Sequence, residues 1–119
     1  MEYVMDLSRE NIYKAIDTCI KKDRYRVGIA CISRHIKLES DILHNILKSI
    51  DNIEEYVQEF ICGSGRCEIH FKNGSFIRII DASTNARGIR VNSLLIDAEV
   101  PNEVIKCVLM PFLCKYYER

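Results

Sequence analysis

The sequence predicts a small α/β domain, with a mostly parallel sheet, an attached β-hairpin and about three helices. Three observations predict it. Two near-continuous apolar runs, Val27–Ile32 and Leu94–Asp97 with its closing carboxylate, suit strands buried on both faces, as in a parallel sheet. Apolar residues at helical spacing flank the first run on either side. Asn73-Gly74 separates two alternating segments, Glu68–Lys72 and Ser75–Ile80, which favours a type I′ turn and a hairpin.

In chain order, the first clear element begins at Ser8. Ser8 is a good N-cap before Ile12, Ala15, Ile16, Cys19 and Ile20, predicting a helix over 8–21. The cluster Lys21-Lys22-Asp23-Arg24 ends it, and the strand Val27–Ile32 follows. Ile42, Leu43, Ile46, Leu47 and Ile50 form the apolar face of a second helix, capped at Ser40 or starting earlier, near Ser33. The acidic stretch Asp51–Glu59, with Tyr56, Val57, Phe60 and Ile61, fits a strand or a helical turn equally. After the hairpin a polar loop over 81–90 leads to the strand that ends at Asp97. Pro101 suits the first position of a last helix, with Val104, Ile105, Val108 and Leu109 on one face before Pro111 interrupts it.

Composition bounds the function classes. The chain has 119 residues, enough for one domain and one core. With 48% apolar and 29% charged residues it is ordinary globular sequence, not disordered, collagenous or membrane-spanning. Seventeen Lys plus Arg balance seventeen Asp plus Glu, so no global field attracts nucleic acid. The first residues lack the basic region and long apolar run of a signal peptide, and a cytoplasmic location in a host cell is expected. Six Cys fall short of disulfide-scaffold density, so reduced, mostly buried thiols are expected.

Candidate chemistry is sparse. An aliphatic strand ending in Asp97 has the form of a Walker B strand, whose carboxylate holds magnesium against nucleotide phosphates, although any buried strand can end in Asp. Cys62, Cys67 and His70 offer three zinc ligands within nine residues but no fourth, against a plain glycine loop with incidental thiols. No Cys–His pair carries a nucleophile signature, and His35 and His44 read most simply as solvent-facing. Arg24, Arg26, Arg34, Arg87 and Arg90, with Lys21, Lys22 and Lys37, can gather into a patch for phosphate or nucleic acid, or form a solvated rim.

The stretch as a whole resembles the ATPase domain of phage large terminases, the DNA-packaging motor subunits. The resemblance runs through the helix Ser8–Lys22, the strand and Ser-containing turn Arg26–Arg34, and the helix to Ile50. Its specific part is Phe71-Lys72-Asn73-Gly74-Ser75-Phe76-Ile77, Ala86-Arg87-Gly88-Ile89-Arg90-Val91-Asn92 and Leu94-Leu95-Ile96-Asp97. Pro101–Val104 through Val108–Pro111 is similar to the family's next helix. The resemblance implies a truncated P-loop ATPase core, with Ser8 and Asp97 as remnants of the nucleotide and metal site.

The departures matter more. A phosphate loop needs glycines to wrap phosphates, a Lys and a metal-binding hydroxyl. Here Asp6-Leu7 precedes Ser8, and no Gly occurs before Gly28. The resemblance implies that Glu2–Met5 is the strand that precedes the loop in the family, joined almost directly to the first helix, so the loop looks excised. The family's water-polarising Glu corresponds to Ala98, with Glu99 one residue on and expected on the opposite face. The nuclease domain of the family is absent as well. The resemblance with these losses implies a non-catalytic viral, phage-type interaction protein without a cofactor. It is expected to bind a protein partner, in packaging regulation or inhibition of a host factor. A partial nucleotide-binding fragment completed by another chain and a small nucleic-acid-binding module are the alternatives. A homodimer is expected, through a sheet edge, because Glu2–Met5 is marginal cover for the edges of Val27–Ile32 and Leu94–Asp97, or through the apolar segment Phe112–Tyr117.

Overall fold

The computed structural model describes residues 3–4, 7–63, 66–82 and 90–113. Six strands form one mixed sheet: β1 (Tyr3–Val4), β2 (Arg26–Cys31), β3 (Val57–Gly63), β4 (Arg66–Phe71), β5 (Phe76–Asp81) and β6 (Ser93–Ile96). Their spatial order is β1-β6-β2-β5-β4-β3. The first three pairings are parallel and the last two antiparallel. The predicted α/β class is correct, and the ambiguous acidic stretch resolves into a 3-10 turn (Ile53–Glu55) followed by β3. β1 lies at one edge of the sheet and β3 at the other; β2 is paired on both sides, which corrects the expectation of a poorly covered edge at Val27–Ile32, while the outer side of β6 is covered by the two residues of β1.

Helices α1 (Arg9–Lys21) and α2 (Ile36–Lys48) cover one face. Ser8 caps α1 by accepting the Asn11 N–H at 3.2 Å, as its sequence position predicts. α2 starts earlier than a Ser40 cap allows: a 3-10 turn, Ser33–His35, leads straight into it, and Ser40 is buried inside the helix. Because side chains alternate along a strand, Val27, Ile29 and Cys31 of β2 meet Ile12, Ile16, Cys19, Leu43 and Leu47 from the helices. Each aliphatic side chain so buried contributes about 1.5–3 kcal/mol relative to exposure. Ala30 points to the second face, where Ile80, Leu94 and Ile96 pack against Val100, Ile105, Leu109, Phe112 and Leu113.

The C-terminal segment differs from a regular helix. Pro101 is its N-cap rather than its first helical residue, a short helix α3 (Asn102–Val104) passes into a π turn (Ile105–Leu109), and a 3-10 turn (Met110–Phe112) ends it. Proline cannot supply an N–H to a continuing helix, and Pro111 sits in that final turn. Phe112 and Leu113 are only 4% and 6% exposed. They are core residues, which corrects their assignment to an exposed, interface-forming tail; residues from Cys114 on lie outside those described.

The β4–β5 hairpin exists, but its turn is not type I′, which would require positive φ at both Asn73 and Gly74. Gly74 alone in the turn has a positive φ, 88°. The Gly74 N–H donates to Phe71 O and the Phe71 N–H to Ser75 O, closing a three-residue loop with Gly74 in the left-handed region. The reason lies in the side chains. Asn73 Nδ2 donates to Cys19 O at 2.8 Å and Lys22 O at 3.1 Å, and its Oδ1 accepts from Ser75 N. Ser75 Oγ donates to Lys22 O at 2.7 Å and accepts from Tyr25 N at 2.9 Å. The turn is thereby latched onto the corner between α1 and β2.

Candidate functional site

The parallel register brings three chain segments to one edge of the sheet. Cys31 at the end of β2 pairs with Asp81 of β5, and the Asp97 N–H donates to Ala30 O from the other side. The chain then leaves β2 through Ser33, Arg34 and His35. In open α/β sheets this carboxyl-terminal edge is where ligands bind. Here Ser33 Oγ donates to both Asp81 carboxylate oxygens, at 3.0 and 2.9 Å.

Asp97 is 8% exposed and engaged on every side. His35 Nδ1 lies 2.7 Å from its Oδ2, the Ile32 N–H donates to Oδ2 at 3.4 Å, and the Glu99 N–H donates to Oδ1 at 3.1 Å. Burial acts to raise the Asp97 pKa, but these hydrogen bonds outweigh it and hold the carboxyl below its usual value. The backbone turn made by the Glu99 N–H also carries the Glu99 side chain back over the edge. Its carboxylate stands 3.4 Å from His35 Nε2 and 2.8 Å from Arg34. Strand alternation, which predicts Glu99 on the opposite face, ceases to apply because β6 ends at Ile96.

Behind His35, Glu39 is also 8% exposed, and its Oε1 has no hydrogen-bond partner among the described residues. Burial first, and then the negative charge of Asp97, push its pKa up, while His35 partly offsets them. Cys31 lies under the same carboxylates; burial, then Glu39, Asp97 and Asp81, push its thiol up to about 12. It is an inert core thiol, as is Cys19, raised to about 12 by burial.

The predicted site residues do not gather as the sequence suggests. Asp97 stands at the site, while Ser8 caps its own helix. Arg34 is at this edge, whereas Arg24 and Arg26 lie before and at the start of β2, and Arg90 lies close to Asn92, whose N–H donates to Arg26 O. Six strand residues at roughly 3.3 Å each separate the two ends by about 20 Å. The expected basic patch is therefore split, and Arg87 lies outside the described residues. Cys62 and Cys67 do face one another across β3 and β4. His70, however, alternates onto the other face of β4 from Cys67 and pairs with Glu68 at 2.9 Å. A zinc site from Cys62, Cys67 and His70 is thereby excluded.

His35 is the residue sequence reasoning missed. It is not solvent-facing: its side chain is 26% exposed and held against Asp97. His44 also departs from that expectation, being half-buried with its ring 4.9 Å from that of Phe60. No protein-family model, curated protein or solved structure matches the chain. No helix among the described residues is long and apolar enough to cross a membrane.

Proposed function

We propose that this chain is a non-catalytic interaction protein, built on a reduced ATPase-like core of the terminase type and acting by binding a protein partner. One observation carries this reading: at the edge where a nucleotide would sit, Asp97 is taken up by His35 and two backbone N–H groups. Around it stand the carboxylates of Asp81, Glu99 and Glu39, and the guanidinium at this edge, Arg34, is paired with Glu99. An excess of carboxylates with the guanidinium already paired disfavours phosphates. The spacing from Val4 to Ser8 supports the same reading, because the three intervening residues are too few for the glycine-rich loop and Lys that cradle a triphosphate.

Binding a partner draws support from β3. It is seven residues long, lies at the edge of the sheet and exposes Gln58, Glu59 and Cys62. An edge strand of that length is a template for pairing with another chain. A homodimer through β3 is the simplest such pairing.

Calorimetry with ATP and magnesium tests the first half. No saturable heat and no phosphate release are expected, and micromolar binding lost in Asp97→Ala would restore a nucleotide site. Light scattering over a concentration series tests the second. A mass of twice 13.8 kDa is expected, and 13.8 kDa throughout would remove the dimer.

A further inference from the structure

The same edge carries more carboxylate than its cations neutralise. One ligand atom from each of His35, Asp97 and Glu99 lies within 4.8 Å of the other two. An imidazole offers one nitrogen to a given ion: His35 Nδ1 lies 2.7 Å from Asp97 Oδ2, a gap that need open only to the roughly 3.3 Å between neighbouring ligands of a tetrahedral ion with bonds of about 2.0–2.1 Å, while the exposed Glu99 carboxylate, 3.4 Å from the other ring nitrogen, swings round to join them. An independent observation points the same way. Glu39 follows His35 by one helical turn on the same helix face, is 92% buried by its 8% exposure, and leaves Oε1 unpartnered among the described residues. It is near enough to His35 and Asp97 for both charges to act on it. In its ionised form a buried carboxylate oxygen without a donor, near a second buried carboxylate, is costly, and a cation within reach of both relieves that cost.

We infer that this edge binds one divalent transition metal of the zinc class, with His35, Asp97 and Glu99 as ligands and Glu39 as the buried carboxylate that balances its charge. An imidazole among carboxylates selects the borderline metals over magnesium and calcium, which take oxygen ligands. The site thus differs from the magnesium position implied by the terminase resemblance, in which nucleotide phosphates complete the coordination and His35 and Glu99 have no part. Turning Glu99 from Arg34 to the metal costs little, since that pair is 53% and 73% exposed and exposed ion pairs are worth about 0–1 kcal/mol.

Titration calorimetry of the full chain with zinc chloride, in a non-chelating reductant, is expected to give one ion per chain. Cobalt(II) in its place is expected to show d–d absorption without a thiolate charge-transfer band. His35→Asn and Glu99→Gln should each weaken zinc by about tenfold or more, with folding checked by circular dichroism; Glu99 is exposed, so its variant tests the site without disturbing the core. No zinc binding by the wild type would overturn the inference. So would binding that survives both substitutions and disappears in Cys62→Ser, or displacement of zinc by an equal concentration of magnesium.

Discussion

Asn73 is the residue whose removal tests most directly how this fold is assembled. Its side chain donates to the carbonyls of Cys19, Ile20 and Lys22, at 2.8, 3.3 and 3.1 Å, and accepts from the Ser75 N–H at 3.0 Å. An amide has two N–H hydrogens, so the three carbonyls share two bonds, and Asn73→Ala deletes three hydrogen bonds in all. At about 1 kcal/mol net each, the ceiling is roughly 3 kcal/mol. Asn73 is half-buried, so water reaches some of the vacated groups, and a loss of about 2 kcal/mol is expected. With a urea m-value of about 1.5 kcal/mol/M, the midpoint should fall by roughly 1.3 M with m unchanged. Asn73→Asp keeps the acceptor for Ser75 but turns a carboxylate oxygen toward the α1 carbonyls, and should be at least as unstable as the alanine variant at neutral pH. A midpoint for Asn73→Ala within about 0.3 M of wild type would refute the latch and leave Ser75 and the backbone holding the corner.

Two further outcomes follow from the same hairpin. Gly74→Val should cost about 1 kcal/mol or more, because φ is 88° and an added Cβ would stand 3.2 Å from Arg24 Cγ; Gly74→Asn, which tolerates the left-handed region, should cost less in the same urea titration. On β4, Glu68 is 8% exposed at its side chain; burial acts to raise its pKa, but the His70 hydrogen bond and the charges of Arg78 and Arg66 outweigh it and lower the pKa from 4.5. A depressed folded-state pKa gives stability that is present above the unfolded value and lost as pH falls through the folded one. Thermal unfolding from pH 6 downward should therefore show wild-type stability declining below about pH 4.5, and a shallower decline in Glu68→Gln. Equal slopes would show that Glu68 is not linked to folding.

The elements that the sequence makes legible are those whose pattern has a single structural solution. Val27–Cys31 is apolar on both sides because helices cover one face and the C-terminal segment the other. Ser8 and the Ile12, Ile16, Cys19 periodicity likewise admit only one helix. β3 was not legible, since an edge strand buries little: Gln58, Glu59, Cys62 and Gly63 are exposed, so alternation is weak over it. The site was half legible. Asp97 stands out as a carboxylate closing an apolar strand. His35, Glu39 and Glu99 do not, because they come from a 3-10 turn, a helix and a reverse turn whose convergence depends on the β6-β2-β5 order. The usable signal was the Ser33 turn itself, because the end of a central parallel strand is where neighbouring strand ends converge.

That split bears on what the terminase resemblance can mean. Its most specific residues, Asn73-Gly74-Ser75, touch no part of the acidic edge. They bond to the end of α1 and the start of β2, at the opposite end of the parallel strands from Asp97. Their chemistry is structural: a two-hydrogen donor for orphan helix carbonyls, a left-handed glycine and a hydroxyl that bridges Lys22 and Tyr25. Any chain that joins a helix, a parallel strand and this hairpin in the same order gains stability from those residues, whether or not it binds a nucleotide. The pattern therefore needs no phosphate-binding residues beside it, and it carries information about the scaffold rather than the reaction. At the other end of the strands the polar set is organised around His35, and function is to be sought in the chemistry of that set and in the open edge of β3.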